Sequence, residues 1–386
     1  MEGFLGYERT DGSAGIRNHV AVVSTVSCAN GTVQRIAREV PGVVPILHTN
    51  GCGRGGCDLV MHSRTLQNLC RNPNIGALVI IGLGCEYITA DSLHLVCTLV
   101  GKPSEKLVIQ ENGGSTKTAE KGAGIARGFL RKLKEVKPAP LPFDRLTVGL
   151  ECGGSDAFSG LTANPAIGVA ADWIVDRGGR VILTEVTEMK GTNRILMDRA
   201  CCPEVASRID ETINATSREA DELLGDFAKI SISPGNMDGG MSSVLEKSLG
   251  CIVKGGTRPI SEVVDYAVIP QKKGLVIMDG PGYDSDSMTG IAACGCQMIL
   301  FSTGRGTPVG FPAVPVIKIS SNSMIYRNLE PDIDINAGAI LEGKSIDEVG
   351  HEIIDMIKRV ASGARSKAEL NEQEGILCMY TKYRSF

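Results

Sequence analysis

VGLECGGSDAFSGLTANPAIG, residues 148–168, runs an apolar strand into paired glycines, hydroxyls, an acid and an Asn-Pro turn, and then opens a helix. A strand, Gly-rich loop and helix in that order form the repeating unit of a parallel sheet, whose ligands gather outside the carboxyl ends of its strands. Three earlier runs follow the same plan: STVSCANG (24–31), LHTNGCGRGGC (47–57) and VIIGLGCE (79–86) each end a predicted strand in glycines with a cysteine at the tip. Cys28, Cys52, Cys85 and Cys152 therefore fall where a sheet opens toward a ligand. Any one of them reads equally well as a small apolar residue under a loop. Four at equivalent positions, with His48 four residues before Cys52 and with Glu86 and Asp156 close behind two others, point instead to a soft metal site.

Working outward, HVAVVSTVS leads into GTVQRIAREV, VVPILHTN into LVMHSRTLQNLCR, and ALVIIGLG into a polar helix. This alternation with short loops predicts βαβ units. KEVKPAPLPFDR, residues 134–145, places three prolines among charges and reads as a linker dividing residues 1–140 from 141–386. The second region alternates again. It carries a charged helix from about Arg199 to Asp226, strands at KGLVIMDGPG, MILFSTGRG and AVPVIKISSN, and a helical HEIIDMIKRVASG near the end. The predicted class is α/β with two unequal domains, the second larger.

At 386 residues and 42% hydrophobic content the chain can build a core for each domain. A net charge of −4 with no basic stripe leaves nothing to neutralise a nucleic-acid backbone. The start, MEGFLGYERTDG, lacks an export pattern, and no apolar run approaches the ~18 residues of a membrane span. The thirteen cysteines are an odd number, so reduced thiols and a cytoplasmic location are expected, with no disulfide framework.

Residues 148–168 also supply an anion cradle: the amides of Gly153 and Gly154, the hydroxyl of Ser155, and Asp156 and Asn164 near the helix start. FSTGRGT places Arg305 between glycines after a strand, where a guanidinium can grip a carboxylate with two hydrogen bonds. Lys247 in EKSLG and Lys254 in KGG sit on Gly-flanked turns, where an amine can act as a base or stabilise an enolate, although most lysines are solvated surface charges. Asp279, Asp284 and Asp286 offer oxygens without the spacing of a calcium loop. His62 and His94 fall within predicted helices and read as structural. No dinucleotide, P-loop, CxxC or GxSxG signature is present.

Taken in order, GYERTDGSAGIRNHV, HTNGCG, NPNIGALVIIGLGCE, ECGGSDAFSGLTANPAIG, LTEVTE, SPGN, EKSLG, FSTGRGT and DIDINAG resemble the altronate and galactarate dehydratase family over nearly the whole chain. The resemblance implies a smaller α/β domain that helps dimerise, followed by a larger Rossmann-like, mostly parallel sheet flanked by helices. It implies loss of water from a sugar acid to give a 2-keto-3-deoxy acid, assisted by iron(II), manganese(II) or another divalent ion. On that basis Cys52, Cys85 and Cys152, with His48 or Cys28, are expected to hold the metal, with Glu86 and Asp156 beside it. Arg305 and the amides of Gly153 and Gly154 would clamp the carboxylate, and Lys247 or Glu188 would act as base. Full-length family members begin with a small β-rich domain that precedes GYERTDG, so either a separate small β-rich subunit supplies that domain or this protein manages without it, in a homodimer or hetero-oligomer. Asn193 stands where the family usually has a glutamate. A similar two-subunit group releases sulfite from sulfolactate. There the counterparts of GLGCE, ECGGSD and STGRG are altered, whereas this chain keeps the dehydratase forms.

Overall fold

The computed structural model describes residues 3–225, 232–375 and 377–383. Among the described residues fourteen strands fall in chain order, beginning with β1 (Gly3–Glu8), β2 (Ala14–Gly15), β3 (His19–Ser24), β4 (Val43–Ile46), β5 (Ile75–Gly82), β6 (Ser104–Val108) and β7 (Ala139–Pro142). They continue with β8 (Thr147–Cys152), β9 (Arg180–Leu183), β10 (Ile260–Val264), β11 (Gly274–Met278), β12 (Met298–Thr303), β13 (Val316–Ser320) and β14 (Ile335–Asn336). A four-stranded sheet of order β4-β3-β5-β6 and a seven-stranded sheet of order β10-β11-β9-β8-β12-β13-β14 are parallel throughout. This is the α/β architecture of two unequal sheets that the strand and helix alternation predicts.

Sequence explains the central strands directly. IGALVIIG in β5 is buried at every position, and so is TVGLEC in β8, because both faces of a parallel sheet are covered. On one face of the larger sheet Val148 and Leu150 meet Ile167 and Ala170 of the helix Ala163–Asp176, with Ile353 and Ile357 of the helix Ile346–Ala361 behind them. On the other face Ile182 and Ile299 meet Ile291 of the helix Asp284–Ala293. That layer is shared with Leu66 and Leu69 of the helix Gly56–Arg71, which belongs to the smaller sheet.

The Pro-rich stretch expected as a linker is part of the fold. β7 pairs antiparallel with β1, placing Pro140 opposite Leu5 and Pro142 opposite Gly3. It is the outer strand of the order β2-β1-β7, where a residue lacking an N–H is tolerated. Two further ties join the sheets. The amide groups of Asn72 and Asn74 donate to the carbonyls of Ala292, Cys296, Gln297 and Ala313 at 2.8–3.0 Å. Arg17 grips Glu369 with two bonds of 2.8 and 2.9 Å. The chain end then returns to the first sheet, where Leu377 N donates to Leu47 O and the amides of Lys382 and Tyr383 donate to the Asp58 carboxylate. The expected charged helix spans Pro203–Leu224, and Asp226 lies outside the described residues. No helix among the described residues is long and apolar enough to cross a membrane.

Candidate metal and proton-transfer site

In the larger sheet the chain leaves β8 toward β9 on one side, while β12, β13 and β14 build the other. The carboxyl ends of β8 and β12 therefore flank a topological switch point, where an open α/β sheet forms a crevice. The loops that leave those strands are joined by backbone bonds. Gly153 N donates to Ser302 O at 3.0 Å, and Gly304 N and Arg305 N donate to Gly154 O at 2.7 and 3.0 Å. A Cβ on Gly153 would stand 2.7 Å from the Phe301 ring, so glycine is what lets the two loops close.

Beneath them lies a buried cluster. Cys152, at the tip of β8, places its Sγ 2.9 Å from Glu188 Oε2, 3.6 Å from Glu185 Oε1 and 4.0 Å from Cys251 Sγ. The four ligand atoms of Cys152, Glu185, Glu188 and Cys251 lie within 4.8 Å of one another. Two lysines close the outside: Lys254 pairs with Glu185, both fully buried, and Lys247 pairs with Glu188. Glu185 adopts φ 67°, a left-handed backbone that costs a non-glycine residue about 1–2 kcal/mol. From there its Oε2 accepts from Cys152 N at 3.0 Å.

Two carboxylates and two ammoniums balance the charge of the cluster. The hydrogen bond with Cys251 and burial both push the Cys152 thiol up. Burial raises Glu185 to about 7 even with Lys254 against it. Asp284, at the start of its helix, is pushed up to about 6 by burial and by the charge of Glu188. Burial opposes the charge on Lys247, but the Glu188 carboxylate outweighs it and holds the ammonium above its ordinary value. Two thiols and two carboxylates suit a borderline or soft divalent ion, because binding would release the thiol protons and replace them with the ion's charge.

Lys247 lies between two cavities of about 350 and 310 Å³. Ser248 lines the first and Asn164 the second; among the described residues Ser248 Oγ and Asn164 Oδ1 are buried without a hydrogen-bond partner. Such groups are costly unless a ligand or water completes them. Ser155, with its amide on Asn236 Oδ1, lines the second cavity as well.

The structure redistributes the residues singled out by sequence. Cys152, Glu188 and Lys247 come together, while Gly153, Gly154, Ser155 and Arg305 form the loops above them. Cys28, Cys52 and Cys85 do not join Cys152. They are exposed thiols at the loops of the smaller sheet, and among the described residues only the Cys152 cluster gathers three or more potential ligand atoms. His48 is likewise no free ligand: Nε2 donates to Ser24 O at 2.8 Å, and Nδ1 accepts from Asn50 N at 3.2 Å. Glu86 caps its own loop through Thr25 Oγ1 and the amides of Leu83 and Gly84. Asp156 is committed too, accepting from Ser159 Oγ, Ser321 Oγ and Phe158 N on Oδ1 and from Asn322 Nδ2 on Oδ2 at 2.7–3.2 Å, so it pins the loop. Asn193 bonds Asp210 and Asn214 of the helix Pro203–Leu224. Glu185 and Cys251 were missed, although LTEVTE sets Glu185 three residues before Glu188, and Cys251 lies one helical turn after Lys247.

His48 carries a testable consequence. Burial lowers its imidazole to about 4, so the folded chain holds it neutral while an unfolded chain takes a proton below about 6.5. Its contribution is present above pH 6.5 and is lost as pH falls toward 4, about 2 kcal/mol of it by pH 5. Urea unfolding at pH 7 and pH 5 should show this loss in the parent and a smaller one in His48→Gln. Equal losses would count against it.

Comparison with known families bears on the same residues. Residues 143–384 match the family model described as D-galactarate/altronate dehydratase, C-terminal, and residues 6–134 match D-galactarate dehydratase/altronate hydrolase, second domain. An altronate dehydratase of Bacillus subtilis is 36% identical over 96% of this chain and 76% of its own length. The galactarate dehydratase (L-threo-forming) of Escherichia coli is 36% identical over 97% of this chain and 75% of its own. The (2R)-sulfolactate sulfo-lyase subunit beta of Chromohalobacter salexigens is 32% identical over 97% of this chain and 96% of its own.

Proposed function

The chain belongs to the D-galactarate/altronate dehydratase family, and we propose that it removes water from an aldonate or aldarate sugar acid to give a 2-keto-3-deoxy acid. The observation that carries this reading is the Glu188–Lys247 pair, set between the buried Cys152 cluster and two cavities at the switch-point crevice.

Elimination takes a proton from C2 and hydroxide from C3; the resulting enol then becomes the ketone. Glu188 is the proton acceptor at C2. Lys247, held as an ammonium, offsets the negative charge that develops on the carboxylate side of the substrate and is not itself the base. Arg305 is exposed at the rim, with its amide fixed on Gly154 O, and receives the substrate carboxylate together with the neighbouring amides. Asn164 and Ser248 offer their unpartnered atoms to substrate hydroxyls. Cys152, Cys251 and Glu185 would hold iron(II) or another divalent ion, which when bound polarises the departing hydroxyl.

Arg305→Lys should raise KM about tenfold or more with kcat little changed, because a point charge cannot reproduce a two-pronged grip. An unchanged KM would remove Arg305 from the substrate site.

The sulfo-lyase reading keeps the same α-proton removal and replaces hydroxide by sulfite as the leaving group. It rests on the 32% identity with that subunit over 97% of this chain. The deciding experiment is anaerobic turnover of a sugar-acid panel and of sulfolactate by the iron(II)-loaded chain, with and without a small β-rich subunit, assaying 2-keto acids and sulfite. Keto acid without sulfite supports the dehydratase reading; sulfite release supports the other.

A further inference from the structure

A second concave site lies at the other edge of the larger sheet. β8 begins at Thr147 and ends at Cys152, so its six residues separate the two edges by about 20 Å. At the Thr147 end, a cavity of about 190 Å³ is lined by Arg71, Arg145, Arg180 and Lys273, with Asp11 as its one acid among the described residues. Arg71 comes from the last turn of the helix Gly56–Arg71 against the smaller sheet, and the other three cations belong to the larger sheet's edge.

These charges are poorly compensated. Arg145 donates to Gly12 O, Arg180 Nε to Lys272 O and Lys273 to Asp144 O, all neutral carbonyls. Arg145 also reaches Glu8 at 3.5 Å, but that carboxylate is 62% exposed and well screened. Asp11 Oδ1 accepts from the amide and hydroxyl of Ser13, and its single charge stands against four cations. Arg71 Nε is buried without a hydrogen-bond partner among the described residues. Burial holds Lys273 below its ordinary range; Asp144 opposes this, and the fields of Arg180 and Arg145 add to it. Four cations converging on one small cavity repel one another until an anion enters.

We infer that this cavity binds a small doubly charged oxyanion, a phosphate group or a short dicarboxylate, which bridges the helix of the smaller sheet to the edge of the larger one. None of its residues takes part in the proposed reaction, so the inference stands apart from that reading. The bound anion ties the two sheets together, and the folded chain gains stability by mass action.

The test is calorimetric titration of the full chain with inorganic phosphate and, separately, malonate, at ionic strength held constant with sodium chloride. One anion per chain with a Kd below about 1 mM is expected. Arg71→Met should weaken it about tenfold or more, and so should Lys273→Met, a substitution on an exposed loop that spares the fold. Turnover without added anion should stay at the parent value in both variants. Binding of phosphate alone assigns a phosphoryl ligand, and binding of malonate alone assigns a carboxylate; either supports the site. Absence of binding by both anions at about 10 mM, or binding that both variants retain at parent strength, overturns it.

Discussion

Glu188→Gln should lower kcat about 10²- to 10⁴-fold, the range typical of a removed general base, while KM stays within a few-fold. The amide keeps the size of the side chain and can still meet Lys247, so the crevice is preserved while the proton acceptor is lost. Two roles for Glu188 must be separated, because its Oε2 also contacts Cys152 and belongs to the four-residue cluster. Metal content measured beside turnover separates them. A variant that keeps its metal and loses turnover identifies the proton acceptor. A variant that loses both in proportion identifies a ligand. Turnover within tenfold of the parent would exclude the base role altogether. Exchange of the substrate α-proton with deuterated solvent gives an independent readout, and it should fall in step with kcat.

The parallel sheets were legible because their signals are local. A run such as IGALVIIG, followed by glycines and a helix, announces a doubly covered strand without knowledge of its neighbours. The Gly-rich loop at residues 152–156 was legible for the same reason, as a loop at a strand end, where such sheets form their crevices. The cysteine ligand set was not. Equivalent positions in two different sheets look alike in sequence, and nothing local says that Cys52 and Cys85 end on the smaller sheet while Cys152 ends on the larger. Partners that do meet Cys152 come from 33 and 99 residues away, through the left-handed turn at Glu185 and the helix carrying Cys251. Likewise the Asp156 carboxylate reads as a neighbour of the metal until Ser321 and Asn322, distant in sequence, are seen to hold it. The Pro-rich linker is drawn into the fold for a tertiary reason: the first strand of the chain was available to pair with it.

Lys254→Met should destabilise the metal-free chain by about 3–5 kcal/mol, the cost of leaving a buried charge without its partner. Lys254 and Glu185 are both fully buried, so once the ammonium is gone the carboxylate must either stand unscreened or take up a proton. Adding Glu185→Gln to that variant should recover much of the loss, because the second change removes the stranded charge and leaves a group that can still engage Cys152. The pair also tests the metal reading by its sign. If the Cys152 cluster holds a divalent ion, the ion supplies positive charge to Glu185 in place of the ammonium. Zinc or iron(II) should then raise the urea midpoint of Lys254→Met more than that of the parent, and should do little for Cys152→Ser combined with Cys251→Ser. Equal stabilisation of all three by the ion would place it elsewhere on the chain. If no ion stabilises any of them, the cluster is a hydrogen-bonded core of thiols and carboxylates, and the elimination would rest on Glu188 and Lys247 without a metal.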